Sequence, residues 1–210
     1  MFHSMIEKAV HKSQHCQRNW DLTKEVPERD LQVMETAVTQ CPSKQNYAYY
    51  KPYIITNREI IEKIYNHTDG FGLGRTPPIN KKNSQVLANV LVAFVKDSQV
   101  MRDEKTRELN AVKARELGEE TEEQVRQRQL ALGIAAGYLN LSATMMGYST
   151  GCCTCFNPVG VGEVLGVEDE VMLLMGVGWK DESRPRREKH DEPEFTFPTL
   201  AKDLSAVRVA

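Results

Sequence analysis

Two basic clusters, far apart in sequence, are the residues of this chain best suited to grip an anion. Gln14-His15-Cys16-Gln17-Arg18 sets an imidazole and a guanidinium at the end of a helical stretch, and Arg184-Pro185-Arg186-Arg187 supplies more guanidinium groups late in the chain. A dianionic phosphate is held by charge-assisted, bidentate hydrogen bonds, which arginine forks provide. Either cluster alone reads as a solvated face; the pair points to a phosphate. A third candidate is Pro42-Ser43-Lys44-Gln45-Asn46, a turn between a helix and a strand. Its small hydroxyl and amide groups can hydrogen-bond the polar edge of a ligand without adding bulk, although a plain turn has the same composition.

Cys152-Cys153-Thr154-Cys155 contains a Cys-x-x-Cys. A redox dithiol is favoured at a helix N-terminus after a strand, where the helix dipole lowers the thiol pKa, whereas this pair follows a helical run. A zinc site would need a second Cys/His pair at suitable spacing, and Cys16, Cys41, His15, His67 and His190 are scattered singly. Small buried cysteines and no metal are therefore expected. Gly70-Phe71-Gly72-Leu73-Gly74 imitates a dinucleotide fingerprint, but its third glycine is misplaced and Pro77-Pro78 follows where a helix should start. No Gly-x-Ser-x-Gly, phosphate-binding Walker loop or His-Glu-x-x-His is present. Acid–base and nucleophilic catalysis thus have no visible constellation, and if the chain is an enzyme a cofactor carries the chemistry.

These groups must be positioned by a mixed set of elements. Met5–Gln17 reads as a first helix, Pro27 opens a second with Leu31, Met34, Ala37 and Val38 inward, and Cys41-Pro42-Ser43 stops it. Pro52–Thr56 is a short β-type run, and Arg58–Asn66 a third helix. Val86–Val95, apolar on both faces, is a central strand. Residues 96–129 are highly charged and read as solvated, lid-like helices. Leu130–Gly147 is rich in Gly and Ala, its apolar residues recur on more than one side, and it reads as a helix buried nearly all round. Gly147 ends it, and a loop of small residues follows up to Phe156, its amides free to face a ligand. Gly162–Leu165 is a helical turn, Val171–Val177 a second buried strand, 180–193 a loop, and the tail 194–210 carries Phe195-Thr196-Phe197, a candidate edge strand. The interleaving with few strands gives an α+β class, and residues 1–210 read as a single domain.

The balance of 27 basic and 29 acidic residues makes no electrostatic case for nucleic acid or an anionic membrane. No run is long and apolar enough to span a bilayer, and the N-terminus lacks a secretory pattern. Five cysteines, three of them within 152–155, argue against a disulfide framework and for a cytoplasmic setting.

Taken in order, these pieces resemble the nitroreductase family of FMN-dependent oxidoreductases, from about residue 5 to 190. The resemblance rests on His15-Cys16-Gln17-Arg18-Asn19-Trp20 followed by Val26-Pro27 and a helix, the Pro42–Asn46 turn, and Asn83-Ser84-Gln85 before the central strand. The small-residue helix with its loop to Phe156, Gly176-Val177-Gly178-Trp179 and the late arginine loop complete the series. The chain departs from the family pattern at Gln14, where arginine is usual, at Cys16 and Lys44, where serine is usual, and at Ala48, where glutamine is frequent.

The resemblance implies a nitroreductase-like three-layer sandwich, a small mostly antiparallel sheet flanked by helices, in an intertwined homodimer with FMN at the interface. By the same resemblance Arg18, with Arg184 and Arg186 or Arg187, holds the phosphate, with His15 and Cys16 alongside. Pro42, Ser43 and Asn46 contact the ribityl chain or ring, and Asn83 or Gln85 reaches the pyrimidine edge. The Thr154 and Cys155 amides face the flavin N5/O4 edge. The implied activity is NAD(P)H-dependent reduction of a quinone or nitro-type acceptor by ping-pong hydride transfer. A dehalogenating or flavin-fragmenting relative and a non-catalytic flavin-binding protein remain open alternatives.

Overall fold

The computed structural model describes residues 2–69, 82–97, 122–184, 202 and 204–209. Within them the order is α1 (Phe2–Ser13), α2 (Glu28–Thr39), a 3-10 turn (Lys44–Asn46), β1 (Tyr50–Ile55), α3 (Arg58–Asn66) and a 3-10 turn (Ser84–Val86). There follow β2 (Val90–Lys96), α4 (Glu122–Met145), β3 (Ser149–Cys153), α5 (Pro158–Leu165) and β4 (Val171–Gly178). The four strands form one sheet, ordered β1-β2-β4-β3, with every neighbouring pair antiparallel.

Strand alternation explains the layers. Val90, Val92 and Phe94 of β2 point to one face, where they meet Met34 and Val38 of α2 and Ala135, Leu139 and Ala143 of α4. Leu91, Ala93 and Val95 point to the other, against Ile61 and Ile64 of α3 and Val161 of α5. The sheet is thus sandwiched between two helical layers, as expected. A register shift between Phe94 and Val95 brings Val95 opposite Val171.

Local signals set several boundaries. The Asn57 side chain accepts from Ile60 N (3.1 Å) and starts α3. Asn157 accepts from Val159 N (3.1 Å) and Gly160 N (3.2 Å), Pro158 follows it, and Gly166 ends α5 at φ 65°.

Other boundaries differ from the sequence reading. α1 stops at Ser13 rather than Gln17, because 14–20 leaves to pair elsewhere. Pro27 caps α2 instead of occupying its first turn. β2 starts at Val90, since Ser84–Val86 takes a 3-10 turn, and α5 starts four residues earlier than Gly162. The expected loop after Gly147 (φ 100°) is a strand, β3, recruited by pairing with β4.

The largest difference concerns α4, expected to be buried nearly all round. It is one 24-residue helix that also takes in the charged residues 122–129. Arg128, Ala131, Ala135, Leu139 and Ala143 face inward, while Leu130 (52% exposed), Ile134 (37%) and Tyr138 (47%) face out. A methyl group added at Gly133 or Gly137 would meet nothing within 4 Å. Of its two apolar sides, one packs into the core and the other is exposed among the described residues. The rest of the proposed lid, residues 98–121, lies outside the described residues, as do Gly70–Gly74 and Phe195–Phe197. No described helix is long and apolar enough to cross a membrane.

Candidate functional site

The candidate site is assembled along the outer edge of β3, beside the 14–20 segment. Where α1 ends, Asn140 of α4 donates to the Ser13 carbonyl (3.2 Å) and accepts from the Thr150 hydroxyl. Gln17 N then donates to Thr150 O (2.8 Å), which lays the 14–20 segment beside β3. Gly151 permits that approach: a Cβ there would lie 2.7 Å from Gln17 O and 3.1 Å from Gln85 Cβ. Farther on, Trp20 Nε1 donates to Ser84 O (2.9 Å), Trp20 bridges Lys180, and Asp181 N donates to Asn19 O (3.2 Å).

These contacts bring Arg18 to the buried amides of Asn83 and Gln85. With its oxygen turned to Arg18 Nη2 (3.2 Å), the Gln85 amide donates from its nitrogen to Cys152 O (2.7 Å). That orientation faces an acceptor to a cation and a donor to a carbonyl. Asn83 Nδ2 donates to Cys153 Sγ (3.1 Å), while Asn83 Oδ1 accepts from Gln85 N (3.1 Å) and Asn83 N donates to Thr68 Oγ1 (2.8 Å). Ser84 Oγ is buried with no hydrogen-bond partner among the described residues. Beyond β3, Thr154 and Cys155 are exposed, and their N–H groups donate to no carbonyl among the described residues.

Arg184 is brought to the same end of the molecule by the 179–181 pairing, its Nε donating to Asp181 Oδ2 (2.6 Å). The Ser183 hydroxyl and then Arg184 hold the Asp181 carboxyl down to about 2. The segments that carry Arg18 and Arg184 meet through the Asn19–Asp181 and Trp20–Lys180 contacts; Arg186 and Arg187 lie outside the described residues. His15 is exposed and Cys16 half-buried at the edge of this group.

Pro42, Ser43 and Asn46 are elsewhere. Ser43 Oγ donates to Tyr47 O (2.6 Å), Gln45 and Asn46 adopt left-handed φ of 54° and 60°, and Lys44 pairs with Glu123 (3.1 Å) at the start of α4. Arg18 sits near the other end, where Asn140 anchors Ser13. At ~1.5 Å of rise per residue, Glu123 and Asn140 stand roughly 25 Å apart along α4. One chain does not unite the two halves of the predicted site.

The cysteines also depart from expectation. Cys153 is buried, but Cys152 and Cys155 are exposed, and the Cys-x-x-Cys begins inside β3 and ends in the loop that follows it, rather than after a helix. Burial pushes Cys153 up to about 12 despite the nearby Arg18 charge, and the neighbouring Cys16 thiol pushes Cys152 up. No cluster able to hold a metal occurs among the described residues. Sequence reasoning missed Gln17, Thr68, Asn140 and Thr150 as the groups that set this geometry. Asn140, a lone amide in an apolar helix, was the one available signal.

Residues 12–179 match the model of the nitroreductase family. No curated protein matches the chain. Among solved structures, it is similar to a nitroreductase family protein from Streptococcus pneumoniae TIGR4 (21% identity, TM-score 0.62, covering 96% of this chain and 100% of that one). It is similar to a protein assigned as an NAD(P)H:FMN oxidoreductase from Staphylococcus epidermidis (16%, TM-score 0.62, 89% and 94%). A protein assigned as a nitroreductase from Exiguobacterium sibiricum, solved in complex with FMN, is similar at 17% identity and TM-score 0.62, over 86% and 90% of the two chains. With most of its length matched by the family model and its layers shared with those structures, the chain belongs to the nitroreductase family.

Proposed function

We propose that this chain is an FMN-dependent oxidoreductase that draws reducing equivalents from NAD(P)H and delivers them, in ping-pong fashion, to a quinone or nitro-type acceptor. The observation that carries the reading is the convergence of Arg18, Asn83, Gln85 and the exposed 154–155 amides on one strand edge, in a chain of this family. The residues fit the group: a guanidinium suits its phosphate, buried amides suit its pyrimidine edge, and backbone donors suit its N5/O4 edge. When bound, FMN supplies the two-electron chemistry that no side-chain constellation here provides.

The chain's own contribution is binding and orientation. Arg18, with Arg184 and, by the resemblance, Arg186 or Arg187, neutralises the phosphate. Asn83 and Gln85, braced on Thr68 and the Cys152 carbonyl, present fixed donors and acceptors. The Thr154 and Cys155 N–H groups offer preorganised donors where negative charge gathers. Ser43 and Asn46 join from a second copy: two α4 helices packed antiparallel through the Leu130, Ile134 and Tyr138 face set the Glu123 end of one beside the Thr150 end of the other. The exposed apolar face and the split of the candidate residues both support such a homodimer.

The test is the absorbance spectrum of the purified, FMN-supplemented protein. The reading expects a flavin spectrum that bleaches anaerobically with NADH or NADPH and returns on adding a quinone. Protein that retains no FMN overturns it. Protein that holds FMN but is not reduced by either nucleotide confines the function to flavin binding or other flavin chemistry.

A further inference from the structure

A closed ring of hydrogen bonds backs the 154–155 loop, and one buried thiol completes it. Thr68 Oγ1 accepts from Asn83 N (2.8 Å), and Asn83 Nδ2 donates to Cys153 Sγ (3.1 Å). The Cys153 thiol donates to Cys155 O (3.6 Å), which also accepts from the N–H of Asp69 (2.8 Å), the residue after Thr68. Thr68 and Asn83 are buried, and Cys153 is 2% exposed. Burial keeps the thiol protonated, pushed up to about 12, so one sulfur serves as both acceptor and donor. Cys153 pairs with Leu174 of β4, which anchors the ring on the sheet. Removing the sulfur would leave the Asn83 amide and the Cys155 carbonyl joined through 68–69 and no longer to each other.

We propose that Cys153 is a positioning residue: its thiol closes the ring and thereby fixes the Thr154 and Cys155 N–H donors relative to the Asn83 and Gln85 amides. The inference rests on the flavin reading only for what those donors act on. Held by two donors, the Cys155 carbonyl cannot swing, and the peptide groups just before it keep their direction. A thiol hydrogen bond is weak alone, but in a ring each bond limits the movement of the others. Donors fixed in advance stabilise charge gathering on a ligand edge without first having to reorganise. For a flavin, that favours the reduced, electron-rich ring over the oxidised one. Opening the ring lets the donors drift and lowers the reduction potential of the bound cofactor. In this role the sulfur neither reacts nor changes its oxidation state.

The experiment compares full-length Cys153→Val, which fills the space without an S–H, with Cys153→Ser, which keeps a donor and an acceptor. The first readout, taken without flavin, is amide hydrogen exchange. The Asp69 and Asn83 N–H groups should exchange roughly tenfold faster in Cys153→Val, with the β1–β2 amides unchanged, and Cys153→Ser should return most of the protection. The second is the midpoint potential of bound FMN. It should fall in Cys153→Val by about 30 mV, roughly tenfold in relative affinity for the two redox states of a two-electron couple, and recover in Cys153→Ser. A space-filling role alone would be met by valine and would move neither readout. Thr68→Val opens the ring at a second point, and should quicken Asp69 exchange and lower the potential even if Cys153→Val folds poorly. Wild-type exchange at Asp69 in a ring-opened variant, or a wild-type potential in one that binds FMN, overturns the proposal. Wild-type protein that retains no FMN overturns the oxidoreductase reading instead, and the exchange rates then decide the role of Cys153.

Discussion

Replacing Gly151 with alanine tests whether the close approach of 14–20 to β3 builds the site. The added Cβ would lie 2.7 Å from Gln17 O, a backbone atom, and 3.1 Å from Gln85 Cβ. Ordinary C···O contacts begin at about 3.3 Å, so the segment must retreat by roughly 0.6 Å. The Gln17 N to Thr150 O hydrogen bond, now 2.8 Å, would stretch beyond useful range. Losing it costs about 0.5–1.5 kcal/mol, and overpacking a closed contact typically costs ~1–3 kcal/mol. A net loss of about 2 kcal/mol is expected in urea unfolding. Arg18 rides on the same segment, so FMN affinity, followed by flavin fluorescence, should fall by about tenfold or more, tenfold being ~1.4 kcal/mol. A Gly151→Ala protein with the wild-type urea midpoint and wild-type FMN affinity would refute the reasoning, because it would mean that the segment and the strand can separate freely.

Removing the Arg18 charge in Arg18→Met should weaken FMN binding by about ten- to a hundredfold, the worth of a charge-assisted contact of ~1.5–3 kcal/mol, and unchanged affinity in an equilibrium titration would remove Arg18 from the cradle. Ile134→Glu sets a charge on the outward face of α4, where Ile134 is 37% exposed; sedimentation should show monomers, and a dimer as tight as wild type would place the interface elsewhere. Stability should also fall with alkali. Cys153 is raised to about 12 by burial, and Tyr50 and Tyr148 are raised too. Their protonated forms are favoured in the fold, so this stability is present below the ordinary thiol and phenol values and is lost as pH climbs toward the folded ones. Urea midpoints should decline from about pH 9 upward, less steeply in Cys153→Ala, and a midpoint level between pH 8 and 11 would contradict the assignment.

The readable parts of the fold were those whose residues carry their own signal. Arg58–Asn66 begins at an asparagine cap and shows isoleucines at helical spacing, so both ends were visible. The core of β2 is apolar on both faces, and the two helical layers explain why. β3 was hidden because Ser-Thr-Gly-Cys-Cys has no strand pattern; its conformation comes from β4 on one side and the 14–20 segment on the other. The same pairing shortened α1, which ends at Ser13 although helical spacing runs on. α4 misled for a different reason. Apolar residues on two sides look alike whether the second side meets the chain's own core or another molecule, and only the packing shows that Leu130, Ile134 and Tyr138 are left out. Of the candidate residues, Arg18, Asn83 and Gln85 could be picked out by type, but the Pro42–Asn46 turn could not be seen from sequence to sit at the opposite end of α4.

That separation makes the proposed dimer testable without a structure of the complex. If each cofactor site takes Arg18 from one copy and Ser43 from the other, two defective chains can complement. Consider Arg18→Glu, which sets an anion where the phosphate's cation stood, and Ser43→Glu, which sets an anion in the 42–46 turn, each abolishing FMN binding in its own homodimer. In a mixed dimer, one site receives both substituted side chains and is doubly damaged. The other receives the intact Arg18 of the second chain and the intact Ser43 of the first, and is whole. Co-expressed, differently tagged chains purified through both tags should therefore bind one FMN per dimer with wild-type affinity. If every site were built within one chain, each half of the mixed dimer would keep its own defect and no flavin would bind. Absence of binding in a mixed dimer shown to be assembled and folded would leave the Pro42–Asn46 turn outside the site, and with it the main reason the geometry gives for requiring two copies.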